Sequence, residues 1–391
     1  MATPLAIHNL FHGGWRTVLS IVGISIAIVL IFMQLGFLGA VTDTAVVFYD
    51  KMKFDLVACS PDYYNFVDCG KFSSDHITRI QEVESVQSIA PFHVSLGKWN
   101  YEAREVQRGM LILGVDPENE TFTEPELNSQ LSNGLDRRSI LVDASSRPRF
   151  LGAENKVPFG QQHLGLEIEL NGVACQVADL FEIGTGLASD GATMVHQEQF
   201  FEMVPGYTSR DVSLALITLR PGTDPEIAKR QIEALFANSG AGVNPIEIQT
   251  RQQLEQREIK YWQKGTPIGF IFTAGALVAF CVGAIIVYIV LSADITKQIG
   301  EYATLKAMGY RDLYLAKTVL QQAFLLAVAS YIGALLVSLL LYKVVGDLAK
   351  LPITMNWIRM LFVFASSLLM SFLSAMIAMQ KLRQADPADL F

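Results

Sequence analysis

Apolar residues in this chain gather in four long runs, set apart by one long stretch of mixed composition. The runs extend from Thr17 to Thr42, between Lys264 and Asp294, between Lys317 and Lys343, and between Arg359 and Lys381. None contains a charged residue. A membrane-crossing helix needs roughly 20 apolar residues, because it rises about 1.5 Å per residue through about 30 Å of hydrocarbon. All four runs meet that length, and buried helices of soluble proteins seldom run so far without a charge. The pattern predicts four membrane-spanning helices. The first exceeds the apolar core of a cleavable leader and lacks a small-residue cleavage site close behind it, so it reads as a retained anchor.

The stretch between the first two runs alternates in the manner of an α+β domain. Ser73-Ser74-Asp75 caps a short helix through Glu82. Gln87–Leu96 and Glu105–Val115 have strand composition, and Ser139–Val142 is a further strand. Leu166–Leu170, Asn171-Gly172 and Val173–Val177 read as a hairpin with an Asn-Gly turn. Val212–Leu219, a helix from Asp224-Pro225 to Phe236 and a strand at Ile246–Thr250 read as a closing β-α-β unit. From Arg251 to Lys264 a polar helical pattern runs toward the second span. It lacks Pro and Gly, and reads as a stalk carrying Glu258, Tyr261 and Trp262. Pro4–Trp15 is weakly amphipathic and reads as a helix lying on the membrane surface.

The domains expected are therefore 1–42 (surface helix and first span), 43–266 (the α+β domain with its stalk) and 267–391 (spans two to four). The fold class is membrane α-helical with a large extracytoplasmic α+β insertion.

Composition sharpens this division. The chain has 391 residues, 51% of them hydrophobic, and a net charge of −8. From Thr42 to Thr266 there are 20 Lys and Arg against 32 Asp and Glu; the remainder has 10 against 6. No basic stripe suited to nucleic acid is present. Lys and Arg near the spans number seven on the side of the termini and eight on the other, so charge asymmetry does not orient the chain. Cys59 and Cys69 flank Pro61 and leave two readings open: a disulfide in an oxidising compartment, or two free buried thiols.

Small residues recur at four-residue spacing within the spans: Gly275, Ala279 and Gly283; Ser330, Ala334 and Ser338; Ser367, Ser371 and Ala375. Such rows let helix backbones approach closely within a bundle or across a homodimer. The spans lack ionisable groups at depth, which argues against an ion-driven pump. No catalytic constellation occurs. Lys317-Thr318 lacks the glycines of a phosphate-binding loop, and the six histidines show no metal spacing. Arg137, Arg138, Arg147 and Arg149 suit either a solvated face or an anionic headgroup.

The segment from Asp294 to Tyr310, within the loop 294–317, is charged and helical in pattern. Ile295, Ile299, Tyr302 and Leu305 fall on one face, and Gly309 suits a helix end. A helix of this kind can press its apolar face into a partner's groove.

Ala303-Thr304-Leu305-Lys306-Ala307-Met308-Gly309-Tyr310 resembles the coupling segment of FtsX/MacB-type ABC transporter permeases, most closely a DevC-like branch. Asn9-Leu10 through Arg16-Thr17, Glu258 with Tyr261-Trp262, Pro267 to Phe270 and Asp386-Pro387-Ala388 resemble other parts of that family. Val142-Asp143 and Ser146-Arg147 match it more loosely. The resemblance implies a homodimer with two cytoplasmic ABC ATPase subunits. These would dock at Lys297, Ile299, Glu301, Leu305, Lys306, Ala307, Met308, Gly309 and Tyr310. It further implies a periplasmic membrane-fusion adaptor, an outer-membrane channel, contact with membrane lipid, and an inner-membrane location with both termini cytoplasmic. ATP and magnesium would bind the partner ATPase, leaving this chain without a cofactor or catalysis of its own. The cargo implied is a lipid, glycolipid or other hydrophobic molecule. An FtsX-like regulator of a periplasmic hydrolase is the competing reading.

Overall fold

The computed structural model describes residues 14–101, 108–147, 157–184, 186–187, 189–237, 246–301, 304, 308, 310, 312–349 and 352–384. It divides into a membrane unit, residues 1–40 with 267–391, and an inserted unit, residues 41–266. The expected surface helix before Trp15 lies outside the described residues.

In chain order the elements begin with α1 (Trp15–Ala45) and α2 (Val47–Lys51), then β1 (Leu56–Cys59), β2 (Phe72–Ser73) and α3 (Asp75–Gln81). Strands β3 (Val86–Asn100) and β4 (Arg108–Val115) precede α4 (Pro125–Gly134), β5 (Ser139–Asp143), β6 (Glu167–Leu170) and β7 (Val173–Phe181). Next come β8 (Ala192–His196), α5 (Gln197–Met203), β9 (Asp211–Val212), β10 (Leu214–Leu219), α6 (Pro225–Ala237), β11 (Glu247–Thr250) and α7 (Arg251–Lys260). The chain closes with α8 (Pro267–Lys297), α9 (Asp312–Ala349) and α10 (Trp357–Gln384).

Among the described residues, four helices are long and apolar enough to cross a membrane: Thr17–Ala45, Pro267–Lys297, Leu313–Leu348 and Trp357–Gln380. Inside the membrane unit the rows of small residues are buried seams. Ser330, Ala334, Ser338, Ser367 and Ala375 are fully enclosed, and Ser371 nearly so. The Ser25 hydroxyl donates to the Ser330 carbonyl at 2.9 Å, and Ser374 donates to Ala284 at 2.6 Å. Both bonds cross between helices and satisfy polar groups where lipid offers no partner.

The inserted unit is built on one nine-stranded sheet in the order β11-β1-β10-β3-β4-β8-β5-β7-β6. Strand β6 also pairs back onto β3, Trp99 with Leu170 and Asn100 with Glu169. The strands from β3 to β6 thus close into a six-stranded barrel. Its interior holds Trp99, Met110, Ile112, Ile140, Ile168, Leu170, Val177 and Val195. The long strand β3 belongs both to this barrel and to the open antiparallel portion β11-β1-β10-β3. Helices α3 and α6 cover one face of that portion around Leu56, Ile80, Ile217, Ile232 and Ile248. The other face carries Val57, Cys59, Phe92, Leu214 and Leu216, packed with Tyr49, Phe66 and Leu254. The β6–β7 turn has Asn171 at φ 50° and Gly172 at φ 86°, the two positive values that a type I′ turn requires.

The closing β-α-β unit is present as β10, α6 and β11, with β1 inserted between its two strands and antiparallel to both. Strand β1 is four consecutive buried residues, a run too short and too uniform to show periodicity. One expectation is corrected. The stalk is not one helix running into the second span. Helix α7 ends at Lys260, a wider π turn covers Tyr261–Gly265, and Thr266 is extended at φ −116°, ψ 154°. The cause is local: Gly265 loosens the helix, and a residue before proline is driven out of the helical region. Pro267 then opens α8, where its missing N–H is no loss.

Candidate functional site

Glu258, in the last turn of α7, is buried to 1% exposure, which is uncommon for a carboxylate. Four donors converge on it. Oε2 accepts from the Tyr63 hydroxyl at 2.7 Å, the Phe66 amide at 2.9 Å and the Tyr49 hydroxyl at 3.3 Å. Oε1 accepts from Trp262 Nε1 at 2.8 Å. The Tyr49 hydroxyl also lies against the Tyr63 oxygen, so its single proton is shared between that oxygen and the longer contact to Glu258. Burial pushes the Glu258 carboxyl above the usual range, and the hydrogen bonds from Tyr63, Trp262, Phe66 and Tyr49 oppose that rise. Burial, reinforced by the neighbouring carboxylate, holds both tyrosine hydroxyls well above their ordinary value.

The four donors come from three parts of the inserted unit. Tyr49 lies on α2, directly after α1. Tyr63 and Phe66 lie on the loop between β1 and β2, and Trp262 is on the π turn. The i, i+4 spacing of Glu258 and Trp262 places the indole over the carboxylate on one helical face. Two arginines of α7 extend the junction. Arg251 Nη2 donates to the Tyr49 carbonyl at 2.5 Å, and its Nε to Glu255 at 2.8 Å. Arg257 donates to the Tyr63 carbonyl at 2.6 Å and to Glu247 at 2.8 Å. Phe48 stacks on Phe66 with centroids 4.7 Å apart. Gln263 donates to the Thr42 hydroxyl at 3.0 Å. The segment entering the inserted unit and the segment leaving it are thereby fastened together. Such a carboxylate, enclosed and held by donors on both oxygens, can hold elements in place. At 1% exposure it is shut off from an incoming substrate.

A second anchor lies at the end of β5. Asp143 is fully buried and accepts from the Ile183 amide at 3.0 Å, Gly184 at 2.7 Å and Ser145 at 2.7 Å. The loop it holds rests on α2: a Cβ at Gly184 would meet Val47 at 3.5 Å, and one at Gly186 would meet Phe48 at 3.2 Å.

Of the segment expected to couple to a partner, residues 299–301 and 304 are helical among the described residues. Gln298 donates to the Asp294 carbonyl at 3.1 Å, and Met308 to Thr304 at 3.0 Å. Ile295 is buried and Ile299 half-buried, while Lys297 and Glu301 are exposed. Met308 and Tyr310 are exposed, and Tyr310 packs on Tyr314 at 4.9 Å. Tyr302, Ala303, Leu305, Lys306, Ala307 and Gly309 lie outside the described residues, as do Asn9, Leu10 and Asp386-Pro387-Ala388.

The remaining candidates are placed as follows. Tyr261 stacks edge-on against Trp262. Gly275 faces the Gln34 side chain, Ala279 is buried, and Gly283 faces Met370 and Ala27. This row packs α8 against α1 and α10 within the chain. Cys59 and Cys69 are free buried thiols in the same core, not a disulfide. Both are enclosed apolar groups, and burial pushes each thiol up to about 12. The arginines expected to form a cluster are engaged separately: Arg137 pairs with Glu198, and Arg147 with Asp190 at 3.1 Å. Arg149 lies outside the described residues. Among the described residues, no group of three His, Cys, Asp or Glu side chains is placed to hold a metal.

Sequence spacing assigns Glu258 to the stalk but carries no signal for its partners Tyr49, Tyr63 and Phe66. They are separated from it by about half the chain.

Two family models match the chain. The MacB-like periplasmic core domain matches residues 17–235, and the FtsX-like permease C-terminal model matches residues 273–387. No curated protein matches it. Among solved structures, the periplasmic region of MacB from Actinobacillus actinomycetemcomitans is 11% identical, covering 53% of this chain and 94% of that one, with a TM-score of 0.36. The extracellular domain of the noncanonic ABC-type transporter YknZ from Gram-positive bacteria is 13% identical, covering 50% and 99%, with a TM-score of 0.33.

Proposed function

The chain belongs to the FtsX/MacB-like ABC permease family, and from that premise we propose that it is the mechanotransmitting subunit of an ATP-driven exporter. In this reading a separate ABC ATPase binds the segment from Lys297 to Tyr310 on the cytoplasmic side, where both termini also lie. The inserted unit stands on the opposite side of the inner membrane and engages a periplasmic adaptor and an outer-membrane channel. Two copies work together. ATP-driven closure of the ATPases displaces the coupling segments, and the junction at Glu258 carries that displacement into the inserted unit. A lipid, glycolipid or other hydrophobic cargo then leaves without passing through the spans, whose interiors hold no ionisable residue.

The observation that supports this best is the fastening of both connections of the inserted unit through Glu258. Force arriving along either connection meets a braced junction rather than a slack linker. In this reading the π turn and the extended Thr266, just beyond it, are the point that bends.

The test uses the full-length chain, reconstituted in liposomes with the ABC ATPase that co-purifies with it. Leu305→Asp or Gly309→Pro is expected to abolish stimulation of ATP hydrolysis while membrane insertion is unchanged. An unaltered ATPase rate in both variants rejects the coupling role. Retained coupling, with activation of a cell-wall hydrolase and no export, favours the regulatory reading.

A further inference from the structure

Arg359 stands in the first turn of α10, at the end of the membrane unit where α1 approaches the inserted unit in sequence. Its guanidinium lies against Gly39 so closely that a Cβ there would collide with Nη2. Nη1 donates to the Thr354 carbonyl at 2.5 Å. The guanidinium also lies 5.8 Å from the Tyr342 ring centroid and reaches that tyrosine's hydroxyl. Tyr342 is itself fixed, because its hydroxyl bonds to the Phe32 carbonyl and its ring fills the space left by Gly36. Three helices thus hold the guanidinium in one place, and each of these partners is neutral.

Among the described residues no carboxylate pairs with Arg359. Lys343, next in sequence to the ring beneath it, is exposed and has no ion-pair partner there either. Asp347, one turn further along α9, pairs with neither cation. The flank is aromatic and exposed: Trp357 is 70% exposed and Phe362 58%, and exposed aromatics mark the headgroup level of a bilayer. A fixed cation at the headgroup level without a counter-charge in its own chain is matched to an anionic group there.

We propose that Arg359, assisted by Lys343, binds the phosphate of an anionic phospholipid headgroup. The guanidinium supplies directed N–H donors that match phosphate oxygens. Lys343 adds a second positive charge that favours a headgroup with net negative charge over a zwitterionic one. Trp357 marks the headgroup level and Phe362, further along α10, would meet the upper acyl chains. Gly39 is required because only a residue without a Cβ lets the guanidinium seat against α1.

The test takes the full-length chain in dodecyl maltoside, stripped of lipid and titrated separately with phosphatidylglycerol, phosphatidylcholine and inorganic phosphate. Bound lipid is read by native mass spectrometry and stability by the melting temperature. Phosphatidylglycerol is expected to bind and raise the melting temperature. Phosphatidylcholine should do so much less, and inorganic phosphate not at all. Arg359→Gln is expected to weaken phosphatidylglycerol binding about tenfold, the size of one charge-assisted hydrogen-bonded contact, while Arg359→Lys keeps part of it. Equal binding of the two lipids, equal stabilisation by inorganic phosphate, or unchanged affinity in Arg359→Gln overturns the proposal. Should Arg359→Gln fail to fold, Lys343→Gln decides: it is exposed and tolerated, and an unchanged preference for phosphatidylglycerol over phosphatidylcholine there counts equally against the site.

Discussion

Tyr63 donates its hydroxyl to Glu258 at 2.7 Å across 195 positions of sequence. This bond ties the loop after β1 to the last turn of α7. The same carboxylate oxygen receives Tyr49 and the Phe66 amide, so three chain segments share one acceptor. A shared acceptor makes the contributions interdependent, because removing it orphans every donor at once.

Glu258→Ala is therefore expected to destabilise the inserted unit by about 3 kcal/mol, from buried donors left without an acceptor. Tyr63→Phe should cost less, about 1–2 kcal/mol, since the carboxylate keeps its other donors. The double variant should fall short of the sum of the two, the signature of coupled residues. Denaturant unfolding followed by tryptophan fluorescence measures all three. Additive losses would show that the junction is not a unit.

His93 gives a pH dependence of known sign. It lies in β3 beneath Phe200 and Phe201 with neither ring nitrogen hydrogen-bonded. Burial lowers its pKa to about 4, slightly offset by Asp211. The folded state thus holds His93 neutral, while the unfolded chain takes up its proton near the ordinary value. Stability is full above about pH 6.5 and falls as pH drops toward 4, by up to about 3 kcal/mol from this residue. His93→Phe should flatten that part of the curve. A profile between pH 6.5 and 4 identical to that of the unaltered chain would exclude His93 as its source.

The four spans were legible because lipid imposes a length and excludes charge, and both constraints are written along one continuous run. The Asn171-Gly172 hairpin was legible for a similar reason: two adjacent residues carry the whole geometry. Strand β1 left no trace, since Leu56–Cys59 is buried on both faces and shows no alternation. The site was half legible. Glu258 and Trp262 share a helical face and could be paired by spacing. Tyr49, Tyr63 and Phe66 reach the carboxylate only through the pairing of β1 with β10 and β11, which spacing cannot convey. The contact of Gly39 with Arg359 was missed for the same reason, because it joins the first and last spans.

Cys59 and Cys69 are expected to resist thiol reagents in the folded chain, because only the thiolate reacts and burial pushes both thiols up to about 12. After denaturation without reductant both should label at once. Mass spectrometry of the alkylated chain counts the additions. Labelling that requires prior reduction would show a disulfide in place of two thiols.

Close approach between spans can be ranked by what stands opposite each glycine. At Gly275 a Cβ would fall 2.6 Å from the Gln34 amide group, the far end of a flexible side chain that can swing away. At Gly36 it would fall equally close to the Tyr342 ring and hydroxyl. That ring cannot retreat, because its hydroxyl is bonded to the Phe32 carbonyl and Arg359 lies over its face. Gly275→Ala should therefore cost well under 1 kcal/mol, while Gly36→Ala should cost about 1–3 kcal/mol, the range for forcing extra volume into packed surroundings. Thermal unfolding of the full-length chain in detergent compares the two directly. Adding Tyr342→Phe to Gly36→Ala should recover part of the loss by freeing the ring to shift. If it recovers nothing, the hydroxyl is not what pins the ring against α1.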